Sequence, residues 1–195
     1  MKKSSDPADM VLREIEEMGK RSFIPSIGPV KGRILADIVR EHKPRLILEV
    51  GALYGYSAIL IAQNSPTGAE ITTVEKDPRH ARITQENVAR AGLDDRIKVV
   101  QGDAATILPR LPGPFDLVFL DAEKTQYLAY LKAVEEKLPQ GSVIVADNVG
   151  VFRDQMLDYL NYVRTTGRYR SRTFETLLEF SDTTKDAMEI SEKRY

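Results

Sequence analysis

Short apolar runs alternate with amphipathic stretches along most of this chain. Five runs rich in Val, Ile and Leu fall at 46–50, 71–75, 97–101, 116–120 and 143–147. They are too short for helices and too uniformly apolar for one-faced strands. That pattern belongs to strands buried on both faces of a parallel sheet. Helical patterns fill the gaps at about 54–64, 78–91, 104–110, 124–137 and 153–165. Two helices precede the first strand. Asp6 and Pro7 are an N-cap and a first helical residue, Ala8, Val11, Leu12, Ile15 and Met18 make an apolar stripe, and Gly19 is the expected C-cap. A loop from Arg21 to Gly28 leads to a second helix at about 29–42, with Val30, Ile34, Leu35, Ile38 and Val39 facing inward. Tyr169–Thr176 and Ala187–Glu192 read as two strands with no helix between, a closing antiparallel pair. The fold class is therefore α/β, a mostly parallel sheet with helices on both faces and a C-terminal hairpin.

Each of the five runs ends in an acid or leads straight into one: Glu49, Glu75, Asp103, Asp121 and Asp147-Asn148. Open α/β sheets bind ligands outside the carboxyl ends of their strands. The acids therefore line the one edge where a ligand is expected, and they suit one that is cationic, hydroxyl-rich or both.

Composition narrows this picture. At 195 residues the chain reads as one domain, 1–195, with the sheet core over 43–195. A net charge of −1 gives no global reason to expect nucleic acid or an anionic membrane. The absence of cysteine excludes thiolate metal sites and thiol catalysis. No signal-like or membrane-length apolar segment stands out, so a soluble cytoplasmic protein is expected. His42 and His80 sit in surface-like helical contexts and receive no role.

Three motifs carry a resemblance: Leu48-Glu49-Val50-Gly51-Ala52-Leu53-Tyr54-Gly55-Tyr56-Ser57, Phe119-Leu120-Asp121-Ala122-Glu123-Lys124 and Val145-Ala146-Asp147-Asn148-Val149. In this order, at strand ends, and with Leu177-Leu178-Glu179-Phe180 behind them, they resemble the metal-dependent catechol O-methyltransferase family from about Phe23 onward. The resemblance implies a Rossmann-like class I methyltransferase fold with a seven-stranded sheet. It also implies that the helices in 1–42 form part of a lid over substrate and cofactor.

The implied cofactor is S-adenosylmethionine. Gly51 and Gly55 are spaced G-x-x-x-G, not as the dinucleotide fingerprint, which suits a cofactor without a pyrophosphate. Glu75 stands where a carboxylate can hold both ribose hydroxyls. By resemblance Gly102, Asp103 and Ala104 hold the adenine, and Ile27, Glu49 and Ser57 the methionine end, with Asp121 also beside the cofactor. The plainer readings make Gly51 a turn glycine, Ser57 a helix-start residue and Glu49 a partner for loop amides.

Asp121, Asp147 and Asn148 offer three hard oxygen ligands, the set that suits Mg²⁺ or another divalent cation. The resemblance implies that a catechol chelates that ion through neighbouring hydroxyls. It makes Lys124, three residues after Asp121, the general base, and Glu179 the acid that grips the unmethylated hydroxyl. Lys124 and Asn148 would then also touch the substrate, with Phe23 and Pro25 as its wall. Alternatively Asp147-Asn148 is an Asx turn, Lys124 an ordinary helix-start lysine and Glu179 a solvated hairpin residue.

The chain departs from the mammalian pattern in having no tryptophan and in placing Glu123 where an aromatic would flank the cofactor. Substrate identity is the point this leaves open. The expected substrate is a small catechol-type diol; caffeoyl thioesters and 5-hydroxyuridine in tRNA are the alternatives. For tRNA, Arg168, Arg170 and Arg172 would share a strand face and, with Arg164 and Lys185, track phosphates. A homodimer is left open.

Overall fold

The computed structural model describes residues 6–22 and 24–195. Phe23, expected in the substrate wall, lies outside the described residues. Helices α1 (Pro7–Arg21) and α2 (Gly28–His42) come first. The alternating part follows as β1 (Leu46–Val50), α3 (Tyr56–Asn64), β2 (Glu70–Glu75), α4 (Pro78–Arg90), β3 (Ile97–Gln101) and α5 (Ala104–Ile107). It continues as β4 (Leu117–Leu120), α6 (Tyr127–Val134), β5 (Val143–Ala146) and α7 (Leu157–Thr165). The chain closes with β6 (Tyr169–Leu177) and β7 (Lys185–Lys193).

The seven strands form one sheet in the order β3-β2-β1-β4-β5-β7-β6. Strands β1 to β5 pair in parallel, and β7 runs antiparallel to both β5 and β6. Chain order reverses between β1 and β4, and such a switch point opens a crevice at the carboxyl ends.

Alternation along the central strands supplies two cores. Ile47, Phe119, Val143 and Val145 face the layer of α1 to α4. Leu48, Val50, Val118, Leu120 and Ile144 face the layer of α5 to α7. Both faces are apolar, which is why the runs show no polar alternation. Asp6 caps α1 through Ala8 N at 3.0 Å, and Asp77 caps α4 through Arg79 N at 2.7 Å.

Several expectations need correction. Helix α1 does not stop at Gly19 but runs to Arg21, with Ser22 N donating to Met18 O. Gly19 serves packing instead, since a Cβ there would meet the Phe180 ring at 2.5 Å. Met18 is 40% exposed and Val30 52%, against an inward expectation. The buried arc of α1 passes through Ile15 and Gly19, leaving Met18 off it, and the first turn of α2 turns Lys31 inward rather than Val30. Helix α3 starts at Tyr56 rather than 54, because Leu53 and Gly55 have positive φ of 50° and 82°. The expected helix over 124–137 is α6 flanked by 3₁₀ turns at Lys124–Gln126 and Glu135–Lys137. Another such turn, Arg153–Gln155, delays α7 to Leu157.

Candidate active site

A cleft of about 510 Å³ opens at the carboxyl ends of the strands around the β1/β4 switch point. Of the residues expected to bind cofactor, Ile27, Gly51, Ser57, Glu75, Gly102, Asp103, Ala104 and Asp121 line it, together with Pro25, Lys124 and Asn148.

The loop after β1 is shaped by backbone geometry. Gly51 has φ +98°, and a Cβ on it would lie 2.0 Å from the Asp121 carbonyl oxygen. Only glycine permits that approach. Glu75 draws the loop in: its Oε2 accepts from Ala52 N at 3.0 Å and Leu53 N at 2.8 Å, and its Oε1 from Asp77 N at 2.9 Å. Tying up loop amides, a role considered for Glu49, is thus performed by Glu75, which still lines the cleft. Asp103 caps α5 through Ala105 N at 2.9 Å and pairs with Lys76 at 3.0 Å; Lys76 and that amide lower its pKa.

Glu49 lies beneath this loop, fully buried. Thr73 Oγ1 donates to its Oε2, whereas Oε1 has no hydrogen-bond partner. Burial pushes its pKa up to about 7, against the opposing pull of the Ser57 and Thr73 hydroxyls. A buried carboxylate oxygen without a donor, next to a serine on the cleft wall, fits a ligand that brings an ammonium or another cationic group.

The acidic side is built differently. Lys124 Nζ donates to Asp121 Oδ1 at 2.7 Å and to the Tyr127 hydroxyl at 3.0 Å. That hydroxyl donates to the Asp147 carbonyl at 3.3 Å, linking the ends of β4 and β5. Asn148 adopts φ +61°, and its Nδ2 donates to Asp186 Oδ2 at 2.9 Å, which leaves its amide oxygen as the available ligand atom. Asp147 is fully buried; burial and then the charge of Asp121 push its pKa well up, against the pull of Lys31. Two carboxylates and an amide oxygen fit a hard divalent cation.

Among the described residues, the carboxylates of Asp147, Glu179 and Asp186 converge, with ligand oxygens within 4.8 Å of one another. The Lys31 ammonium sits among them. Burial acts to lower its pKa, but the carboxylates of Asp147 and Glu179 prevail and hold it above the usual lysine value. Lys31 and Asp186 escaped the sequence reading. The one signal was a lysine on the inward arc of α2, and its partners lie 116 to 155 residues away. His80, given no role from the sequence, lines the cleft, edge-on to Tyr54 at 5.7 Å between ring centroids.

Three members of the basic stripe considered for nucleic acid stand beside acids. Arg164 binds Glu189 at 2.7 Å, Arg170 binds Glu192 at 2.5 Å and Arg172 lies 3.7 Å from Glu41. Among the described residues no helix is long and apolar enough to cross a membrane.

Comparison with known proteins points the same way. A family model described as O-methyltransferase matches residues 1–162. The chain is 36% identical to the catechol O-methyltransferase of Bos taurus over 185 residues, covering 91% of this chain and 67% of that one. It is 38% identical to the catechol O-methyltransferase of Sus scrofa over 162 residues, covering 80% of this chain and 86% of that one. Among solved structures, the O-methyltransferase from Bacillus cereus in complex with SAH shares the fold, with a TM-score of 0.84 at 24% identity over 100% of this chain and 93% of that one.

Proposed function

The chain belongs to the catechol O-methyltransferase family of S-adenosylmethionine-dependent O-methyltransferases, and from that premise we propose that it methylates one hydroxyl of a small catechol-type diol with the help of a divalent cation. One observation carries the reading. Asp121, Lys124, Asp147 and Asn148 gather at the ends of the adjacent strands β4 and β5, beside a cleft whose other wall is the Gly51 loop and Glu75. The Bacillus cereus structure holds SAH, which supports S-adenosylmethionine as the methyl donor here.

In this reading Glu75, Asp103 and Ala104 hold the adenosine part. Ile27, Ser57 and the unpartnered oxygen of Glu49 receive the methionine end. Asp121, Asp147 and Asn148 hold the cation. When bound, that cation supplies Lewis acidity that favours ionisation of a coordinated hydroxyl. Lys124, as its free amine, accepts the hydroxyl proton at Nζ and becomes the ammonium, and Glu179 accepts a hydrogen bond from the hydroxyl that stays unmethylated. Pro25 and Phe152 flank the ring. The donor and acceptor are thereby held in line, which can supply much of the rate. A vicinal diol suits the site because two neighbouring oxygens can share one ion. The pairing of Arg164, Arg170 and Arg172 with carboxylates supports a small diol over tRNA as the acceptor.

Transfer of labelled methyl from S-adenosylmethionine to a catechol, with caffeoyl thioesters and tRNA as competing acceptors, tests this. Methylated catechol is expected, abolished by a chelator and restored by Mg²⁺, while cofactor affinity changes little. Full turnover in excess chelator refutes the metal role, and product on tRNA alone refutes the substrate.

A further inference from the structure

Among the described residues, Lys31 is the only buried lysine or arginine, with 1% of its surface exposed. Its ammonium has three N–H groups, and three carboxylates surround it. Nζ lies 2.6 Å from Asp186 Oδ2, 2.5 Å from Glu179 Oε1, and 2.8 and 3.0 Å from the two oxygens of Asp147. Every donor is used. Asp186 is itself anchored by backbone, since its Oδ1 accepts from Gly150 N at 3.1 Å and Val151 N at 2.9 Å. A Cβ on Gly150 would lie 2.7 Å from the Asp186 backbone, so this turn and β7 are pressed together.

The result is a chain of restraint. Backbone amides fix Asp186, Asp186 fixes Lys31, and Lys31 fixes the carboxylates of Asp147 and Glu179. Those two would otherwise repel each other at close range in a water-poor site. Glu179 is the one able to respond, because it stands in the loop between β6 and β7 while Asp147 follows a central strand.

We propose that Lys31 is a positioning residue: its buried ammonium, seated on Asp186, holds the metal-facing Asp147 and the substrate-facing Glu179 at a set separation, and so decides which of two vicinal hydroxyls is methylated. This rests on the reading of the metal and diol site given above. Lys31 touches neither reacting atom. It acts through the directions of two carboxylates, and outer partners of this kind typically tune metal affinity tenfold to a hundredfold.

The test uses the whole chain with Lys31→Arg and Lys31→Met. Arginine keeps the positive charge but cannot place a point donor at the same spot, whereas methionine removes the charge at similar length. Three readouts are needed: Mn²⁺ affinity by calorimetry without substrate, S-adenosylmethionine affinity, and the ratio of the two monomethyl products from 3,4-dihydroxybenzoate. Lys31→Arg should melt near the wild type and bind S-adenosylmethionine within about twofold. It should bind Mn²⁺ at least about tenfold more weakly and shift the product ratio toward equality. Lys31→Met, where it folds, should show larger changes in the same two readouts. Wild-type Mn²⁺ affinity and product ratio in Lys31→Arg would overturn the positioning role. A wild-type protein that binds no Mn²⁺ would instead break the metal reading itself, and this inference with it.

Discussion

The two halves of the cleft are built on different principles. The cofactor half, at the ends of β1, β2 and β3, is a matter of backbone: Gly51 against the Asp121 carbonyl, Glu75 collecting the amides of Ala52, Leu53 and Asp77. Its contacts join neighbouring loops of one sheet edge. The acidic half is a matter of side chains brought from α2, β4, β5 and the hairpin, around one buried ammonium. A loop shaped by hydrogen-bonded backbone tolerates a range of side chains. A cluster of like charges does not, because each carboxylate depends on its counter-cation. Changes in the acidic half should therefore strike turnover, and changes in the cofactor half should strike binding.

The sharpest way to break that contrast is Lys124→Ala. Loss of a general base costs on the order of 10²–10⁴ in rate. We expect kcat to fall by that factor at pH 7, with S-adenosylmethionine affinity nearly unchanged and partial rescue as the pH is raised. A kcat near wild type in steady-state assays would mean that the substrate proton leaves without Lys124.

Glu75→Ala should produce the opposite split. The loop amides lose an ionised acceptor, and hydrogen bonds to charged groups are worth roughly 1.5–3 kcal/mol each. Calorimetry should show S-adenosylmethionine bound at least about tenfold more weakly, with Mn²⁺ affinity retained. Equal losses in both affinities would show that the halves are one coupled unit.

A smaller effect concerns stability. The folded pKa of Glu49, about 7, lies above its ordinary value of 4.5. Between those values the folded protein keeps a proton that the unfolded chain has released. Stability should then fall as pH rises through that window and level off above it, by up to about 3 kcal/mol. Glu49→Gln should flatten this part of the pH–stability curve in thermal melts of the ligand-free protein. An unchanged slope would place the titration elsewhere.

The smallest effect is expected from Arg168→Ser, Arg170→Ser and Arg172→Ser combined. Arg170 and Arg172 are exposed and paired with surface acids, and such pairs are worth little. Catechol turnover and its dependence on salt should stay close to wild type. A large loss, or a steep salt dependence on RNA, would reopen the polyanion alternative.

Most of the architecture was legible in the chain. Uniform apolar runs for β1 to β5, the cap Asp6, and the switch to two strands at the end are local signals, and local hydrogen bonding and burial enforce them. Helix ends were less so. Gly19 read as a stop but serves the Phe180 ring, a contact between residues far apart in sequence. The same division runs through the site. Gly51, Glu75, Asp121, Asp147 and Asn148 could be named because a strand's end marks its own position on the edge. Their partners could not.

What the chain by itself determined is the sheet, its layers and the edge on which the acids stand, since periodicity and capping act over a few residues. What only the tertiary structure decided is how those acids are held. Lys31 looked like one more helical lysine, and Asp186 like one more hairpin acid. Packing α2 against the hairpin buries the ammonium among three carboxylates, and no pattern of neighbours along the chain encodes a charge balance that exists only once water has been excluded.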